Sequence, residues 1–568
     1  MKLFFKSLTR GSLLIGGFLI YLMTSELPLQ GVWQPSVLVS DPNLQVDNQG
    51  GPVLVGTPIG NAISVWTYDG PVSDPNATTI ASAYYQPGFG WLPSQIISST
   101  ALNTAGGPLY TFQGDPDVAL HSTGYAVAVW EAIYNQAPDR PTVVVAARRS
   151  PSGVWGTVEI LSDLSSDAIS ENINVTMNEA GTALAVWRTS YDDVTEYSSI
   201  NASFSTIGGA WTTPFRLDTD ETPQEDNKPH PAINPNGDAV VAWLSYSSAN
   251  DGDLYSTKVS TYNAATQTWS PAITLDSVSG QNIMGSNPKV AIDNNGHAVA
   301  TWENNGNIKV SYFNGISWSP ALTIGIGVSD DNTLGPDVVM DPNGNATVVW
   351  SGPFPNKFIY ASSRLPNGSW TTGQIISQPG TRNYFGPFQS QEPLAVNPNG
   401  DVIAIWSNED SRDFVTAYKP FGLNWLAPEI VTTNRGLWEN VALFPCGFAI
   451  ALWFEEEGIE DPNRYRIVRA AVNTDFPLSP NSLNPTIRQC CANFASQKVC
   501  LNILTFTPNS CSAYYNIFKD GILFSTMLNS SENFQIIDPI GCGVNPIYTI
   551  SQVSIYGTES VQIPFIIN

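Results

Sequence analysis

The sequence predicts an all-β protein, an eight-bladed β-propeller closed by an N-terminal strand and followed by a small β-sandwich. A glycine followed six residues later by a tryptophan recurs eight times, with small and β-branched residues between them. These tryptophans lie 47 to 64 residues apart, a period typical of propeller blades and solenoid repeats. They are Trp66, Trp130, Trp187, Trp243, Trp302, Trp350, Trp406 and Trp453.

Each repeat contains the pattern of four strands. A first strand and a tight turn precede the glycine, as in PKVAIDNNG (288–296) and PDVVMDPNG (336–344), where Asn, Asp, Pro and Gly favour a turn. The Gly-to-Trp segment is apolar on both faces, which predicts a second strand between neighbouring sheets. A third strand such as TVVVAAR (142–148) follows, and another tryptophan leads into a fourth. Four strands per repeat are the content of one blade.

The second set of tryptophans predicts how the ring closes. Its first member precedes the first Gly-to-Trp segment, and no member follows the last one. The final repeat therefore has three strands, and residues 33–40 are predicted to pair with its third strand, leaving no long free edge. Seven blades are the alternative, if the irregular first repeat is not a blade. The set is Trp33, Trp91, Trp155, Trp211, Trp269, Trp318, Trp370 and Trp425.

The ends and the charge narrow the class of protein. Residues 1–30 hold three basic residues and then the apolar run GSLLIGGFLIYLM, a pattern typical of a signal peptide, with an uncleaved anchor as the alternative. We expect an exported protein, secreted or at the cell surface, with residues 31–474 forming the propeller and no further membrane span. The net charge of −25 argues against nucleic acid as a partner.

Five of the six cysteines follow residue 489. In an exported chain such a cluster favours disulfides, and the predicted pairs are Cys491–Cys500 and Cys511–Cys542. Zinc is the competing interpretation, but there is no C-x-x-C pair, and the three histidines lie elsewhere. The sequence therefore predicts no metal and no cofactor.

The C-terminal segment, residues 476–568, resembles fibronectin type III domains. The resemblance rests on Phe506 (commonly Trp in that family), on a Y-x-I-x-x-x-G pattern from Tyr515 to Gly521, and on a strand led by Tyr548 that ends in G-x-E-S. It implies a β-sandwich in which Tyr548 is the tyrosine-corner residue.

The propeller repeats resemble the sialidase and Asp-box superfamily. SPSGVW (150–155) and PNGSW (366–370) keep the glycine and tryptophan of the Asp-box but lack its aspartate. Sialidases use three arginines to clamp a carboxylate, with a tyrosine nucleophile and an acid. Arg188, Arg382 and Arg435 are the candidates for such a clamp, but arginine is scarce and recurs at no equivalent position.

The loops that follow the Gly-to-Trp strands are expected to share one end of the propeller. They are rich in aromatic and acidic residues, which suit recognition of a sugar or a protein. The first hypothesis is therefore a surface binding or adhesion protein without catalytic residues, and the alternatives are a divergent sialidase-like glycosidase and a structural surface protein. The candidate ligand-binding residues are Tyr68, Tyr134, Arg188, Tyr191, Tyr246, Arg382, Tyr384, Arg435 and Trp438.

Overall fold

A computed structural model describes most of the chain, and every element in it is a β-strand, with no helix among the described residues. The described residues are 33–47, 51–70, 77–98, 109–136, 141–164, 168–190, 198–218, 224–249, 252–280, 287–327, 335–353, 355, 357–379, 381–385, 392–408, 410–434, 436–445, 447–457, 465–474, 485–494, 497–506, 512–528, 534–540, 546–554, 560 and 562–567. The predicted all-β class is confirmed.

The strands up to residue 473 form eight consecutive units. Units one to four comprise β2–β6, β7–β10, β11–β14 and β15–β19, and units five to eight comprise β20–β23, β24–β27, β28–β32 and β33–β35 with β1. The first nineteen strands are β1 (Val37–Leu38), β2 (Val53–Gly56), β3 (Ala62–Tyr68), β4 (Thr79–Gln86), β5 (Gly90–Trp91), β6 (Gln95–Ile96), β7 (Tyr110–Leu120), β8 (Ala126–Tyr134), β9 (Thr142–Arg149), β10 (Glu159–Ile160), β11 (Ile169–Met177), β12 (Thr182–Ser190), β13 (Ser198–Thr206), β14 (Phe215–Arg216), β15 (Glu225–Ile233), β16 (Ala239–Ala249), β17 (Gly252–Asn263), β18 (Thr268–Trp269) and β19 (Ile273–Gly280). The next sixteen are β20 (Lys289–Ile292), β21 (Ala298–Asn304), β22 (Asn307–Phe313), β23 (Leu322–Ile326), β24 (Asp337–Met340), β25 (Ala346–Ser351), β26 (Ile359–Ser363), β27 (Gln374–Ile375), β28 (Asn383–Tyr384), β29 (Leu394–Val396), β30 (Val402–Asn408), β31 (Phe414–Lys419), β32 (Glu429–Thr432), β33 (Gly436–Phe444), β34 (Phe448–Glu457) and β35 (Tyr465–Asn473).

Within a unit the strands pair as an antiparallel meander, and the units contact one another through their first strands. Those contacts run in the order β2, β7, β11, β15, β20, β24, β29 and β33, and β33 also contacts β2. Units two and three are additionally joined by one parallel pair between β9 and β11. The eight first strands therefore surround a common centre.

The second strands lie between neighbouring sheets, as their apolar pattern predicts. Every residue of β3 is buried, and so are the first seven residues of β8. The eight tryptophans that end the Gly-to-Trp segments are all at most 1% exposed. Large aromatic side chains bury much apolar area per residue, so this repeated tryptophan contributes to the packing between units in every repeat.

The N-terminal strand β1 pairs with the last unit. Val37 and Leu38 lie opposite Ala470 and Arg469 of β35, and Val39 N donates to Val468 O at 2.9 Å. This is the strand that the tryptophan offset predicts as its partner. The pairing covers the outer edge of β35 and joins the two ends of the repeat region.

The turns between first and second strands lie at one end of the units and are tied to one another by side-chain amides. Asn178 Nδ2 donates to Asn234 O at 2.7 Å, and Asn234 Nδ2 donates to Asp293 O at 3.2 Å. The turns need a left-handed residue, which glycine supplies without strain, as at Gly344 with φ +87°. The opposite end, called the loop end below, carries the loops after the second strands.

The C-terminal strands form two four-stranded sheets, ordered β40-β37-β36-β43 and β39-β38-β41-β42. Phe506 and Tyr515 meet edge-to-face at 4.8 Å in the core they share. Tyr548 donates its hydroxyl hydrogen to Asp538 and accepts from Asn502 Nδ2, so its partners are side chains rather than the backbone partner of a tyrosine corner. The strands are β36 (Thr486–Phe494), β37 (Gln497–Phe506), β38 (Ser512–Lys519), β39 (Ile522–Leu528), β40 (Phe534–Ile540), β41 (Tyr548–Ser554), β42 (Ile563–Pro564) and β43 (Ile566–Ile567).

The structure describes only some of the residues on which the disulfide and membrane-span predictions depend. Cys491 and Cys500 lie directly opposite each other in the β36–β37 pair, whereas Cys511 and Cys542 lie outside the described residues. Residues 1–30 also lie outside them. In the described part of the chain, no helix is long and apolar enough to span a membrane.

Candidate functional site

A cavity of about 420 Å³ lies at the centre of the eight first strands. Every unit contributes to its wall, through residues 54–56, 117–120, 174–177, 230–233, 290–292, 338–340, 394–396 and 441–443. Its volume falls in the range of small-molecule sites. Most of the lining side chains are aliphatic, so the few polar side chains stand out.

Polar residues recur at one level of the first strands around this cavity, and three of them, Asp117, Asn174 and His230, line it. One residue of each first strand pairs with the residue that precedes the buried tryptophan of its unit, and we call these eight equivalent residues the belt. Six of them are polar, although the position is largely enclosed. In unit order the belt is Val53, Asp117, Asn174, His230, Lys289, Asp337, Pro393 and Asn440.

Four belt side chains bind the backbone of the next unit. Asp117 Oδ2 accepts from Val175 N at 2.7 Å, and Asn174 Nδ2 donates to Pro229 O at 3.0 Å. His230 Nδ1 accepts from Val290 N at 3.3 Å, and Asn440 Nδ2 donates to Pro52 O at 2.6 Å. These bonds satisfy buried backbone groups, so this part of the belt has a structural role.

A second group of belt side chains surrounds Glu392 of unit seven. The side chain of Lys289 is 2% exposed, and its Nζ lies 3.9 Å from Glu392 Oε1. Glu392 precedes the belt proline of unit seven, and its side chain keeps 39% of its surface accessible because it faces the cavity. His230 Nε2 approaches the same oxygen at 3.8 Å. At these distances charge holds the Glu392 carboxylate, and its oxygens can still accept hydrogen bonds from a ligand.

The protonation of this group follows from burial and neighbouring charge. Because Val290 N–H donates to His230 Nδ1, the neutral ring carries its hydrogen on Nε2, facing Glu392. Burial and the charge of Lys289 lower the pKa of His230 to about 4. Burial acts to raise the pKa of Glu392, but Lys289 and His230 outweigh it, and the pKa of Glu392 lies below its ordinary value.

The pKa values of two neighbouring carboxyl groups are raised instead. Burial raises the pKa of Asp117 to about 7, although backbone N–H groups of Val175 and Val118 oppose the shift. Burial and the charge of Glu392 raise the pKa of Asp337 to about 8, against the opposing charge of Lys289. At neutral pH an ionised carboxylate therefore stands near carboxyl groups that hold protons, a combination characteristic of acid–base sites.

Beyond the belt, toward the loop end, the first strands bulge. In five units the residue two positions before the belt has a left-handed backbone, with φ between +48° and +71°. β-Bulges re-aim strands next to functional sites, and a non-glycine residue in this conformation stores about 1–3 kcal/mol of strain. Only one of the five is a glycine. They are Asp115, Asn172, Lys228, Gly335 and Trp438.

An acidic group surrounds these bulges in units two to four. Burial raises the pKa of Asp115 to about 6, helped by the charges of Asp47 and Glu171. Burial and Asp115 raise the pKa of Glu131 well above its ordinary value. Arg188 is 14% exposed and forms ion pairs with Glu171 and, at 3.3 Å, with Glu225. The guanidinium therefore serves two carboxylates of the protein itself.

The structure places several of the predicted ligand-binding residues in strands rather than in loops. Tyr68 was expected in an exposed loop, but it ends β3, is 1% exposed, and accepts a hydrogen bond from Asp41 N at 2.7 Å through its hydroxyl. The loop assignment was wrong because the strands run further than the motif. Tyr134, Arg188 and Tyr246 likewise lie in strands, and Tyr246 donates to Asp253 at 3.0 Å.

The remaining candidates are scattered. Arg382 is exposed, with its backbone N 3.4 Å from Asp410 Oδ2, and Tyr384 lies beside it in the short β28. Trp438 packs against the core shared by units eight and one. Tyr191 and Arg435 lie outside the described residues. The described part of the chain thus brings neither a tyrosine pocket nor an arginine clamp together.

Sequence reasoning missed the belt, although a signal was present. Asp117, Lys289, Asp337 and Asn440 are each the second residue of the first-strand blocks PDVALHSTG, PKVAIDNNG, PDVVMDPNG and ENVALFPCG. A charge at a fixed place in a repeat that is otherwise apolar indicates an inward polar ring. Glu392 carries no such signal, because it falls one residue outside the repeated register.

Comparison with known proteins gives only distant structural similarities. No protein-family model and no curated protein matches the chain. A protein of unknown function from Dyadobacter fermentans is 14% identical, with a TM-score of 0.35, over 59% of this chain and 98% of its own. The α-L-arabinanase of Penicillium chrysogenum is 15% identical, with a TM-score of 0.36, over 57% and 94%. The polysaccharide lyase Uly1 is 9% identical, with a TM-score of 0.37, over 78% and 99%. At these TM-scores the similarities carry no argument about this chain.

Proposed function

We propose that the eight units are the blades of one closed propeller that is secreted or displayed at the cell surface. Support comes from the cyclic contacts of the first strands and from the pairing of β1 with β35. The C-terminal sandwich then serves as a spacer or attachment module of the fibronectin type III kind. On this architecture the cavity is an axial pocket that extends from Glu392 toward the turns between first and second strands, where Glu179 also lines it.

The proposed activity is hydrolysis of glycosidic bonds at Glu392. The observation that carries it is the contrast in one cavity wall between the ionised Glu392, held by Lys289 and His230, and the proton-holding carboxyl of Asp117. Glycoside hydrolysis needs such a pair. The protonated carboxyl gives its proton to the leaving oxygen, while the carboxylate attacks the anomeric carbon or takes a proton from the attacking water.

Asp117 suits the acid role better than Asp337 does. Both Asp117 and Glu392 line the cavity, whereas Asp337 is 2% exposed and is not among the residues that line it. A carboxyl with a pKa of about 7 also holds a proton in a useful fraction of molecules at neutral pH.

Carbohydrate binding without turnover is the second candidate. It is favoured by the fact that both oxygens of Asp117 already accept backbone N–H groups, from Val118 at 2.8 Å and Val175 at 2.7 Å. In that case the loop end binds its ligand and the belt only holds the blades together.

A turnover screen with the full chain separates the two candidates. We expect the protein to release dinitrophenol from at least one aryl glycoside of a broad panel, and Glu392→Gln to reduce that rate by about 10²-fold or more. Asp410→Asn removes one exposed carboxylate away from the cavity and is the matched control. Retained binding of an oligosaccharide with no turnover of any glycoside favours the second candidate, and turnover that survives Glu392→Gln refutes the proposed role of Glu392.

A further inference from the structure

The hairpin turns between third and fourth strands expose large apolar side chains. They lie at the same end as the turns between first and second strands, because consecutive strands of a meander run in opposite directions, and we call this end the turn end. The seven hairpin turns span residues 86–91, 150–155, 207–211, 264–269, 314–318, 365–370 and 420–425. Six of them expose a large apolar residue, with Phe89 at 79% and Ile316 at 89%. The six are Phe89, Val154, Ile207, Ile316, Leu365 and Leu423.

Charge is distributed unevenly between the two ends of the propeller units. None of the seven hairpin turns contains a charged residue, and the charged residues that directly precede them are all basic. In the turns between first and second strands, Glu179 and Asp238 are the acidic residues that keep accessible surface. The loop end instead carries the acidic group of units two to four. The turn end can therefore approach lipid phosphate groups with less repulsion than the loop end can. The basic residues are Arg148, Arg149, Arg364 and Lys419.

The chain enters the ring of units at the turn end. Gln34 N donates to Val472 O at 2.8 Å, and Asn473 lies opposite Ala449, beside the turn between the first and second strands of the last unit. Only nine residues, 24–32, separate Trp33 from the apolar run 11–23. Nine extended residues reach at most about 30 Å. A bilayer that holds the apolar run therefore lies close to the turn end and far from the loop end.

We infer that the turn end docks on a lipid bilayer, with its exposed apolar hairpin residues in contact with lipid and the loop end facing away. The apolar run 11–23 has thirteen residues, fewer than the about 20 that cross the hydrocarbon core. Stable attachment by a weak anchor takes a second membrane contact, and the hairpin residues supply it. The inference rests on the cell-surface part of the proposed function and is independent of hydrolysis.

Flotation of the full chain with lipid vesicles tests the docking. The vesicles contain phosphatidylcholine with a minor fraction of phosphatidylglycerol, and intact mass verifies that residues 1–32 are retained. The triple variant Phe89→Ser, Val154→Ser, Ile316→Ser should lower the partition coefficient by about tenfold or more, because three exposed apolar side chains no longer enter lipid. The matched control changes three exposed apolar residues of the loop end and should partition as wild type does. It is Leu254→Ser, Ile326→Ser, Leu437→Ser.

Photocrosslinking locates the contact without removing apolar surface. The photoreactive residue p-benzoylphenylalanine replaces Phe89 or Ile316 at the turn end, or Ile326 at the loop end, in the full chain bound to the same vesicles. We expect lipid adducts from positions 89 and 316 and none from position 326. If the turn-end triple variant does not fold, these adducts decide alone.

The outcomes separate docking from membrane display and from the proposed activity. Equal flotation of the two triple variants and wild type contradicts docking and leaves display through residues 1–32 intact. Wild type that does not float refutes both docking and display, whereas glycoside turnover is judged by its own screen. Crosslinks from position 89 to peptides of the C-terminal sandwich, without lipid adducts, would overturn the inference, because the sandwich would then cover the turn end.

Discussion

Replacing Asp337 by Asn should change how the free energy of unfolding depends on pH. At low pH the free energy of unfolding itself should change little. The pKa of Asp337 rises from an ordinary value of 3.8 to about 8 in the folded protein, through burial and the charge of Glu392, with Lys289 opposing. Between these two values the folded state holds a proton that the unfolded state has lost. The stability that this group contributes therefore decreases as the pH rises through that window.

The magnitude follows from the width of the window. Each pH unit between the two pKa values changes the free energy of unfolding by about 1.4 kcal/mol per group. Between pH 5 and pH 8 the free energy of unfolding of the wild type should therefore decrease by up to about 4 kcal/mol through this group. The free energy of unfolding of Asp337→Asn should not show this decrease. The variant, which is neutral at every pH, should be close to wild type at pH 5 and more stable at pH 8.

Urea unfolding of both proteins at pH 5, 6.5 and 8, followed by tryptophan fluorescence, measures this difference. Asp410→Asn, which removes an exposed carboxylate, is the control for the loss of one negative charge. A difference between wild type and Asp337→Asn that stays constant from pH 5 to pH 8 would refute the argument, because it would mean that Asp337 titrates alike in the folded and unfolded chains.

Three further changes test other parts of the fold. Deletion of residues 33–40 should lower the melting temperature by several degrees, because it exposes the outer edge of β35, and an unchanged scan contradicts closure by this strand. Thiol counting on the unfolded, unreduced protein should find Cys491 and Cys500 blocked, a bridge of about 2–3 kcal/mol, whereas two reactive thiols there would refute it. Trp302→Ala should destabilise by about 3–5 kcal/mol, and Trp318→Ala, at a partly buried position, by clearly less, so equal effects would contradict the packing argument.

The repeat explains why so much of the architecture is readable from the sequence. Each Gly-to-Trp segment combines a positive-φ glycine with an apolar strand and a tryptophan, and all three features are local. Eight copies of one local pattern predict one packing environment eight times. The offset of Trp33 from the first copy likewise identifies β35 as the partner of β1.

The candidate site could not be predicted from the sequence because its residues lie far apart along the chain. Glu392, Lys289 and His230 belong to three different units and meet only across the cavity. Tyr68 was misplaced for the opposite reason, since a motif that ends at Trp66 does not reveal that the strand continues to residue 68 and buries it. Loop aromatics are easily counted in a sequence, but their burial depends on how far each hairpin extends.

The belt contains residues that connect neighbouring units and other residues that the fold does not require. Val53 and Pro393 occupy the belt register in units one and seven, so an uncharged residue is compatible with this backbone. Four belt residues bind the next unit, and removing them would leave backbone groups unsatisfied. Lys289 and Asp337 are also buried, and burying each has a desolvation cost that an apolar residue would avoid. The repeat does not require these two ionisable groups, and together with Glu392, His230 and Asp117 they determine the charge around the cavity.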